Sequence, residues 1–438
     1  MAKPLVAIVG RPNVGKSTFF NKVVGKRISI VENFPGVTRD RLYADTEWCG
    51  HAFTLVDTGG LELKSTDSMW RHIQQQAEIA IDTADVIILF ADAKTGLNSS
   101  DEDVALKLRK SRKPVLLAVN KLDNYDPQKL FEFYNLGLGE PFGISAEHGT
   151  GIGDLLDEVV SHFDECASED NPDALKLAIV GKPNAGKSSL YNKLLGFDRT
   201  IVSDIEGTTR DAIDTDFTYD GKQFTLIDTA GIRKKRSVEE DLEYYSVLRS
   251  LGAIRRADVC IMMIDASQGV TEQDVKIAGY IHEQGKPSII VMNKWDLVEK
   301  DTHTINVYKD DLKEKLKFMD YFESIFVSAK TGLRTEKILA LAQKVWDNTN
   351  RRITTGQLND LMFDCVRASE PPSVNGKRLK ILYVTQMGEI PPTFLIFVND
   401  SSLMHFSYKR YLENCLRKAY DFSGTPIKLL IRERDEND

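Results

Sequence analysis

The chain repeats itself. LVAIVGRPNVGKSTFFNKVVG at 5–25 recurs as LKLAIVGKPNAGKSSLYNKLLG at 175–196. Gly10 returns as Gly181, 171 residues on, and Thr38/Thr209 and Asp57/Asp228 keep that spacing. Asn120 returns as Asn293 after 173 residues, and Ser145 as Ser328 after 183. The first half of each copy therefore aligns without a gap. The second copy gains residues only late, mostly around 299–320. Such self-similarity fixes the architecture before any local reading: two like domains in tandem.

Each copy alternates short apolar runs with helical stretches. Leu5–Val9, Val86–Phe90 and Val115–Val119 in the first copy, with Val259–Ile264 and Ser288–Met292 in the second, read as buried parallel strands. Residues 99–112 read as a helix between two of them. FTYDGKQFTLID at 217–228 reads as strand–turn–strand, with Asp220-Gly221 suited to a type I′ turn. The expected fold class is α/β: two P-loop domains with mostly parallel sheets, one antiparallel edge hairpin, read from the second copy, and helices on both faces. The last 89 residues break the repeat and read as helix 355–368, strands 378–386 and 393–399, helix 407–420 and strand 426–432, a small α+β domain.

The expected division is 1–163 for the first domain, 164–175 for a linker and 176–349 for the second domain, then 350–432 for the C-terminal domain and 433–438 for a tail. The linker, DECASEDNPDAL, carries five acidic residues and no basic one, which suits a solvated hinge, or equally the frayed end of the preceding helix. The tail, ERDEND, is acidic. The net charge of −8 argues against a chain that binds polyanions over its whole surface. Residues 351–432, by contrast, hold 12 Lys/Arg against 7 Asp/Glu. Five scattered cysteines point away from a disulfide framework or zinc site and toward a reducing compartment. With no signal-peptide pattern and no apolar run near the ~20 residues that span a bilayer, the expectation is a cytoplasmic protein with no membrane insertion.

GRPNVGKS (Gly10, Arg11, Pro12, Asn13, Val14, Gly15, Lys16, Ser17) and GKPNAGKS (Gly181, Lys182, Pro183, Asn184, Ala185, Gly186, Lys187, Ser188) both fit GxxxxGK[ST], each after an apolar strand and opening a helix. Backbone N–H groups of such a loop surround phosphates, and the helix N-terminus adds positive potential. Lys16 and Lys187 would reach the β and γ phosphates. Ser17 and Ser188 would ligate Mg²⁺, with Thr18 and Ser189 following. One such match is explained by a glycine-rich turn; two, each followed by further motifs, are not. DTGG (Asp57, Thr58, Gly59, Gly60) and DTAG (Asp228, Thr229, Ala230, Gly231) end apolar strands. Their aspartates would hold Mg²⁺, and Gly60 and Gly231 would meet the γ phosphate. NKLD (Asn120, Lys121, Asp123) and NKWD (Asn293, Lys294, Asp296) offer a carboxylate to the paired N1 and N2 donors of guanine, which adenine lacks. Ser145-Ala146 and Ser328-Ala329 would complete the base pocket. Thr38 and Thr209, in PGVTRD and EGTTRD, are candidates for a switch threonine closing on Mg²⁺ and the γ phosphate, with Thr208 the competing assignment. Arg39 and Arg210 read as structural.

These motifs make the chain resemble the EngA/Der family, bacterial GTPases with two Era-like G domains and a C-terminal KH-like domain. The resemblance spans essentially the whole chain. It implies GTP hydrolysis, GTP/GDP and Mg²⁺, and a role in large ribosomal subunit assembly. The implied partners are that subunit and its ribosomal RNA, not DNA, and a monomer is the expected state. Leu61 and Ile232 stand where a Ras-type enzyme has its water-orienting Gln. In relatives with a hydrophobic residue there, the phosphate-loop Asn, here Asn13 and Asn184, helps coordinate K⁺. A plain turn-stabilising role for these asparagines stays open. RKKR at 233–236 follows only the second DxxG and reads as an RNA-contacting switch segment or as a solvated loop. The C-terminal domain has no GxxG loop between two helices, so standard KH clamping of RNA is not expected. Of Phe394, Phe397, Phe406, Tyr408 and Tyr411, most should pack in its core. Two other readings are a nucleotide-gated adaptor with little turnover at one site, and an RNA-modifying GTPase. The second catalytic domain and terminal cysteine motif of such an enzyme have no match in this sequence.

Overall fold

The computed structural model describes residues 3–25, 43–57, 78, 80, 81, 83–111, 113–123, 126–163, 174–196, 200–202, 214–227, 250–371, 373, 374 and 377–433. The chain divides into two compact units, residues 1–172 with 247–252 and residues 173–246 with 253–438. Among the described residues, no helix is long and apolar enough to cross a membrane.

The first unit is built on β1 (Leu5–Gly10), whose six residues are all buried. A strand apolar at every position must be covered on both faces, which a parallel, helix-flanked sheet provides. α1 (Lys16–Val24) follows, then β2 (Tyr43–Trp48), β3 (His51–Asp57), β4 (Val86–Asp92), α2 (Ser99–Arg109), β5 (Val115–Asn120), β6 (Pro141–Gly143) and α3 (Ile152–Ser161). The sheet order is β2-β3-β1-β4-β5-β6, parallel except for the β2–β3 hairpin. Phe19 and Phe20 of α1 and Leu155, Leu156 and Val159 of α3 share one core with Val6, Ile8, Phe53 and Ile88. α2 stops at Arg109, short of the expected 112. Asn98 caps its start by accepting from Ser100 N–H at 3.1 Å, and Lys107 and Arg109 sit in the last turn, where they oppose the helix dipole.

The second unit repeats this plan with β7 (Leu175–Val180), α4 (Lys187–Leu195), β8 (Thr200–Val202), β9 (Thr215–Tyr219), β10 (Lys222–Ile227), β11 (Val259–Asp265), α5 (Glu272–Glu283), β12 (Ser288–Asn293), α6 (Thr304–Lys315), β13 (Glu323–Phe326) and α7 (Lys337–Thr349). Its order is β13-β12-β11-β7-β10-β9-β8. The expected edge hairpin, β9–β10, is not the edge: β8 pairs outside β9 and covers its free hydrogen-bonding side. Asp220 and Gly221 both have positive φ, 51° and 77°, as a type I′ turn requires. The first copy makes its turn with Cys49 and Gly50, at 48° and 85°, a pair that sequence reasoning passes over. The late-gained residues form α6.

The same unit ends in α8 (Thr355–Ala368), a short β14 (Ser373–Val374) and β15 (Lys377–Arg378) ribbon, β16 (Ile381–Gln386), β17 (Thr393–Val398), α9 (Phe406–Ala419) and β18 (Lys428–Glu433). Its sheet runs β16-β17-β18, antiparallel then parallel. Both helices lie on one face: Leu358, Met362, Tyr408, Leu412 and Leu416 pack on Val384, Phe394, Ile396, Val398 and Leu429. Phe394, Tyr408 and Tyr411 thus join the core as expected, whereas Phe406 is 67% exposed.

The loop before β18 docks this domain on the second nucleotide-type sheet. Gly424 accepts from the Ser288 N–H that opens β12, at 2.8 Å, and donates to the Tyr321 carbonyl at 2.6 Å. Thr425 and Thr349 hydroxyls meet at 3.0 Å, and the Arg417 guanidinium lies 5.0 Å from the Tyr321 ring centre. Gly424 has φ 76°, and a Cβ there would sit 2.3 Å from Val345 Cγ2. Gly424→Ala should therefore destabilise the second unit by roughly 2–5 kcal/mol, from a left-handed alanine plus overpacking. Thermal unfolding of the full chain checks this. Gly388→Ala, where a Cβ meets nothing within 4 Å, is the silent control.

Candidate functional site

Both GxxxxGK[ST] loops leave the C-terminal end of a central strand, β1 or β7, and enter a helix, α1 or α4. In each, the lysine folds back over its own loop. Lys16 Nζ donates to the Gly10 and Arg11 carbonyls at 2.7 and 2.6 Å, and Lys187 Nζ to those of Gly181 and Lys182 at 2.6 and 2.8 Å. Burial lowers both ammonium pKa values to about 8, with Asp57 partly offsetting this for Lys16 and Asp274 for Lys187. A cation taken out of water without a carboxylate in contact is poised for an anion. Ser17 Oγ donates to Asp57 Oδ2 at 2.8 Å, so two hard oxygen ligands already converge beside the lysine. Asn13 and Asn184 are exposed at the loop crest in the left-handed region, φ 64° and 63°. Pro12 is exposed beside Asn13, Thr18, Ser188 and Ser189 are exposed on the first helical turns, and Val14 and Ala185 are buried beneath.

The asparagine of each NKxD motif is a brace between loops. Asn120 Nδ2 donates to the Val14 carbonyl at 2.7 Å, and its Oδ1 accepts from Ala146 N–H at 2.9 Å. Asn293 does the same with Ala185 at 2.8 Å and Ala329 at 2.9 Å. Each phosphate loop must come so close that a Cβ on Gly15 or Gly186 would lie 2.1 Å from the asparagine nitrogen. Only glycine fits, and both positions also have positive φ, 95° and 101°. The next residues, Lys121 and Lys294, are left-handed too, at 68° and 60°. Their ammonium groups bond Asp92 and Asp265 at 2.7 and 2.6 Å. Burial works against both carboxylates, but these lysine bonds win and hold them below the usual carboxylate range. Asp92 and Asp265 were missed in sequence because a strand-end aspartate has no motif; the repeat, at the 173-residue spacing of Asn120/Asn293, was the usable signal.

The NKxD aspartates, Asp123 and Asp296, stand exposed at the rim. Asp123 accepts from Lys94 Nζ at 2.7 Å and from Ser145 Oγ at 3.1 Å, and both bonds, the lysine first, lower its pKa. Asp296 is lowered chiefly by its Ser328 hydrogen bond. Ser267 takes the place of Lys94 in the second copy, so only the first site pairs its aspartate with this cation. The residue after the first loop glycine differs as well. Arg11 pairs with buried Asp101 at 2.9 Å and reaches Thr95 and Gly96, whereas Lys182 bonds Gln268 at 2.8 Å and lies 3.7 Å from Asp274. Thr38, Thr58, Gly59, Gly60, Thr209, Asp228, Thr229, Ala230 and Gly231 lie outside the described residues, as do Arg39, Thr208, Arg210, Leu61, Ile232, the RKKR segment and most of the linker and tail.

Removing the brace leaves a buried amide and carbonyl unpaired. Asn120→Ala or Asn293→Ala should cost roughly 2–3 kcal/mol of stability in its own domain. Each should also weaken guanine-nucleotide binding at that site alone, measured with a fluorescent GDP analogue. Because both rim carboxylates titrate below the usual range, they stay ionised in mild acid. GDP affinity should therefore stay level from about pH 7 to about pH 5, and a loss with a midpoint inside that window would mean that another group controls binding.

Comparison with known proteins agrees with this geometry. A family described as "50S ribosome-binding GTPase" matches residues 5–121 and 176–294, and one described as "KH-domain-like of EngA bacterial GTPase enzymes, C-terminal" matches 352–432. The chain is 58% identical to GTPase Der of Ruminiclostridium cellulolyticum and 57% identical to GTPase Der of Acetivibrio thermocellus, in each case over 100% of both chains. It is 56% identical to GTPase Der of Clostridium botulinum, again over the full length of both. With two guanine-type sites and the KH-like domain all matched, the chain belongs to the GTPase Der (EngA) family, tandem P-loop GTPases that use GTP and GDP.

Proposed function

We propose that this GTPase is a cytoplasmic, monomeric switch in assembly of the large ribosomal subunit, binding the particle and its ribosomal RNA according to nucleotide state. The observation that carries the reading is the paired brace. In each copy one asparagine locks the phosphate loop to the base loop, so that both ends of a guanine nucleotide meet a preformed site. A C-terminal domain with 12 Lys/Arg against 7 Asp/Glu, docked on the second sheet, supplies a positive surface on an otherwise acidic chain. The description of the matching family as ribosome-binding, and that of the relatives as Der, favour the same partner.

In this reading the described loop N–H groups and Lys16 or Lys187 hold the phosphates, and Asp123 or Asp296 reads N1 and N2 of guanine. Asn120 and Asn293 act by holding the two loops in register. Ser17 with Asp57, and Ser188 with Asp228, would hold Mg²⁺, which offsets charge on the phosphate oxygens. Thr38 and Thr209 would close on the same region, with Gly60 and Gly231 toward the γ phosphate. Leu61 and Ile232 carry no hydrogen-bonding group, so neither orients water as a Gln does. K⁺ held by Asn13 and Asn184 would offset developing charge instead, and their exposed, left-handed crest position suits such a ligand. In the same reading the functional division is 1–163, 164–175, 176–349, 350–432 and 433–438.

Co-sedimentation with large ribosomal subunits under GDP, GTP and a non-hydrolysable analogue tests the switch. Parent protein should bind in one nucleotide state and be released in another. Lys16→Ala and Lys187→Ala should each weaken nucleotide binding at one site by roughly tenfold to a hundredfold and change that dependence. Sedimentation indifferent to nucleotide in all three proteins would end the switch reading. GTP hydrolysis should be several-fold faster in K⁺ than in Na⁺. Equal rates would remove the role given to Asn13 and Asn184, and turnover at one site only would favour the adaptor.

A further inference from the structure

The sheet of the C-terminal domain has a face that the helices leave bare. α8 and α9 cover the side formed by Val384, Phe394, Ile396, Val398 and Leu429. The opposite side follows from the register. Tyr383 pairs with Phe397, which pairs with Arg432; Leu395 pairs with Leu430. At one end this side runs toward the second nucleotide domain, where Pro391 and Lys428 lie close to Gly285. At the other end it is open. Tyr383 is 43% exposed, Leu430 is 42% exposed, Phe397 is half-buried and Arg432 is exposed. Tyr383 takes this side by plain alternation with core-facing Val384, and the strand irregularity falls before it, between Ile381 and Tyr383. The Tyr383 and Phe397 ring centres are 5.9 Å apart and tilted by 45°. Two partly exposed aromatic rings on adjacent strands, with a guanidinium on the third, lie outside the domain's core cluster.

We propose that this open face, centred on Tyr383, Phe397 and Arg432, is a stacking platform for unpaired bases of single-stranded RNA. Sheets take RNA in this way by laying successive bases on aromatic side chains of neighbouring strands, while cations beside them meet the phosphates. The charge fits such a partner. Residues 351–432 carry a net +5, from 12 Lys/Arg and 7 Asp/Glu, although the chain as a whole is at −8. Lys380 stands exposed just before β16, at the same end as Arg432. Glu433, the nearest acid on β18, is turned to Ser401, accepting from its N–H at 2.8 Å and its hydroxyl at 2.6 Å. The site differs from the groove that KH domains use, for which this chain lacks the GxxG loop. Stacking is tolerant of sequence, so the platform would favour unpaired RNA over duplex rather than one base over another. This rests on the ribosomal reading only for where such RNA is met; the recognition chemistry is the domain's own.

The test uses the full-length, GDP-loaded protein and a labelled, unstructured RNA of about 12 nucleotides, within the range that sheet platforms cover, read by fluorescence anisotropy against a duplex of the same sequence. The parent should prefer the single strand. Tyr383→Ala and Phe397→Ala should each weaken single-strand binding by roughly five- to a hundredfold, while Tyr383→Phe and Phe397→Tyr restore it. Arg432→Ala should lower the slope of log affinity against log salt by about one. Thermal unfolding of each variant, matching the parent, confirms that the face and not the fold was changed. Alanine variants binding within about twofold of the parent, equal binding of duplex, or a parent that binds no RNA but self-associates through this face would each overturn the proposal. Ribosome sedimentation run beside it separates the two readings. Nucleotide-dependent sedimentation with anisotropy indifferent to both rings removes the platform alone. Ring-dependent RNA binding without any sedimentation removes the ribosomal role alone.

Discussion

One side-chain amide in each nucleotide domain holds the site together. A GTP site needs two unrelated loops, one for phosphates and one for a base, at a fixed separation. In the first domain these are the turn after β1 and the segment after β6, far apart in sequence. Asn120, at the end of β5, spans them with one donor and one acceptor bond, and Asn293 repeats this with near-identical distances. An amide suits the task because it carries both a donor and an acceptor on one planar group. Its geometry then dictates its surroundings. The phosphate loop has to approach so closely that Gly15 and Gly186 admit no side chain, and the following lysine is turned into the left-handed region, where its ammonium ties to the end of the neighbouring strand.

Around this shared frame the two sites diverge at the rim. The NKxD carboxylate carries a lysine counterion in the first copy and none from that position in the second. The loop residue after the first glycine makes an arginine–carboxylate pair with two further bonds in one copy. In the other it is a lysine shared between an amide and a more distant carboxylate. Arginine holds a fixed fork where lysine presents a point charge, so the first loop is the more tightly oriented. The second copy is distinguished at the other end of its sheet, where the first N–H of β12 bonds the C-terminal domain. The strand that presents NKWD at its C-terminal end is thus anchored to that domain at its N-terminal end.

Much of this was legible in the sequence. The repeat fixed tandem domains. Continuous apolar runs gave the parallel strands, Asp220-Gly221 gave a hairpin turn, and the motif spacing gave both phosphate loops and both base loops. What escaped was whatever depends on the partner across a gap. Asn120 and Asn293 read as part of a base pocket, yet both ends of each side chain are spent on protein. Asp92 and Asp265 looked like ordinary strand ends until their lysines were placed. The β8 strand was missed because three residues carry too little pattern to stand out.

The sequence by itself determined the elements and the motifs: two glycine-rich loops between a strand and a helix, two NKxD segments, and that the set occurs twice. These follow from local pattern, since a glycine-rich turn between a strand and a helix has few other uses and its residues are close neighbours in the chain. Only the tertiary structure decided how those pieces are held and which surfaces remain free. Of Phe394, Phe397, Phe406, Tyr408 and Tyr411 in the last domain, sequence could assign none individually to core or surface, because strand alternation gives two faces without saying which one the helices take. The register put Phe394 beneath α8 and α9 and turned Phe397 to the open side beside Tyr383 and Arg432. That choice is made by packing between elements distant in the chain, which no local pattern encodes.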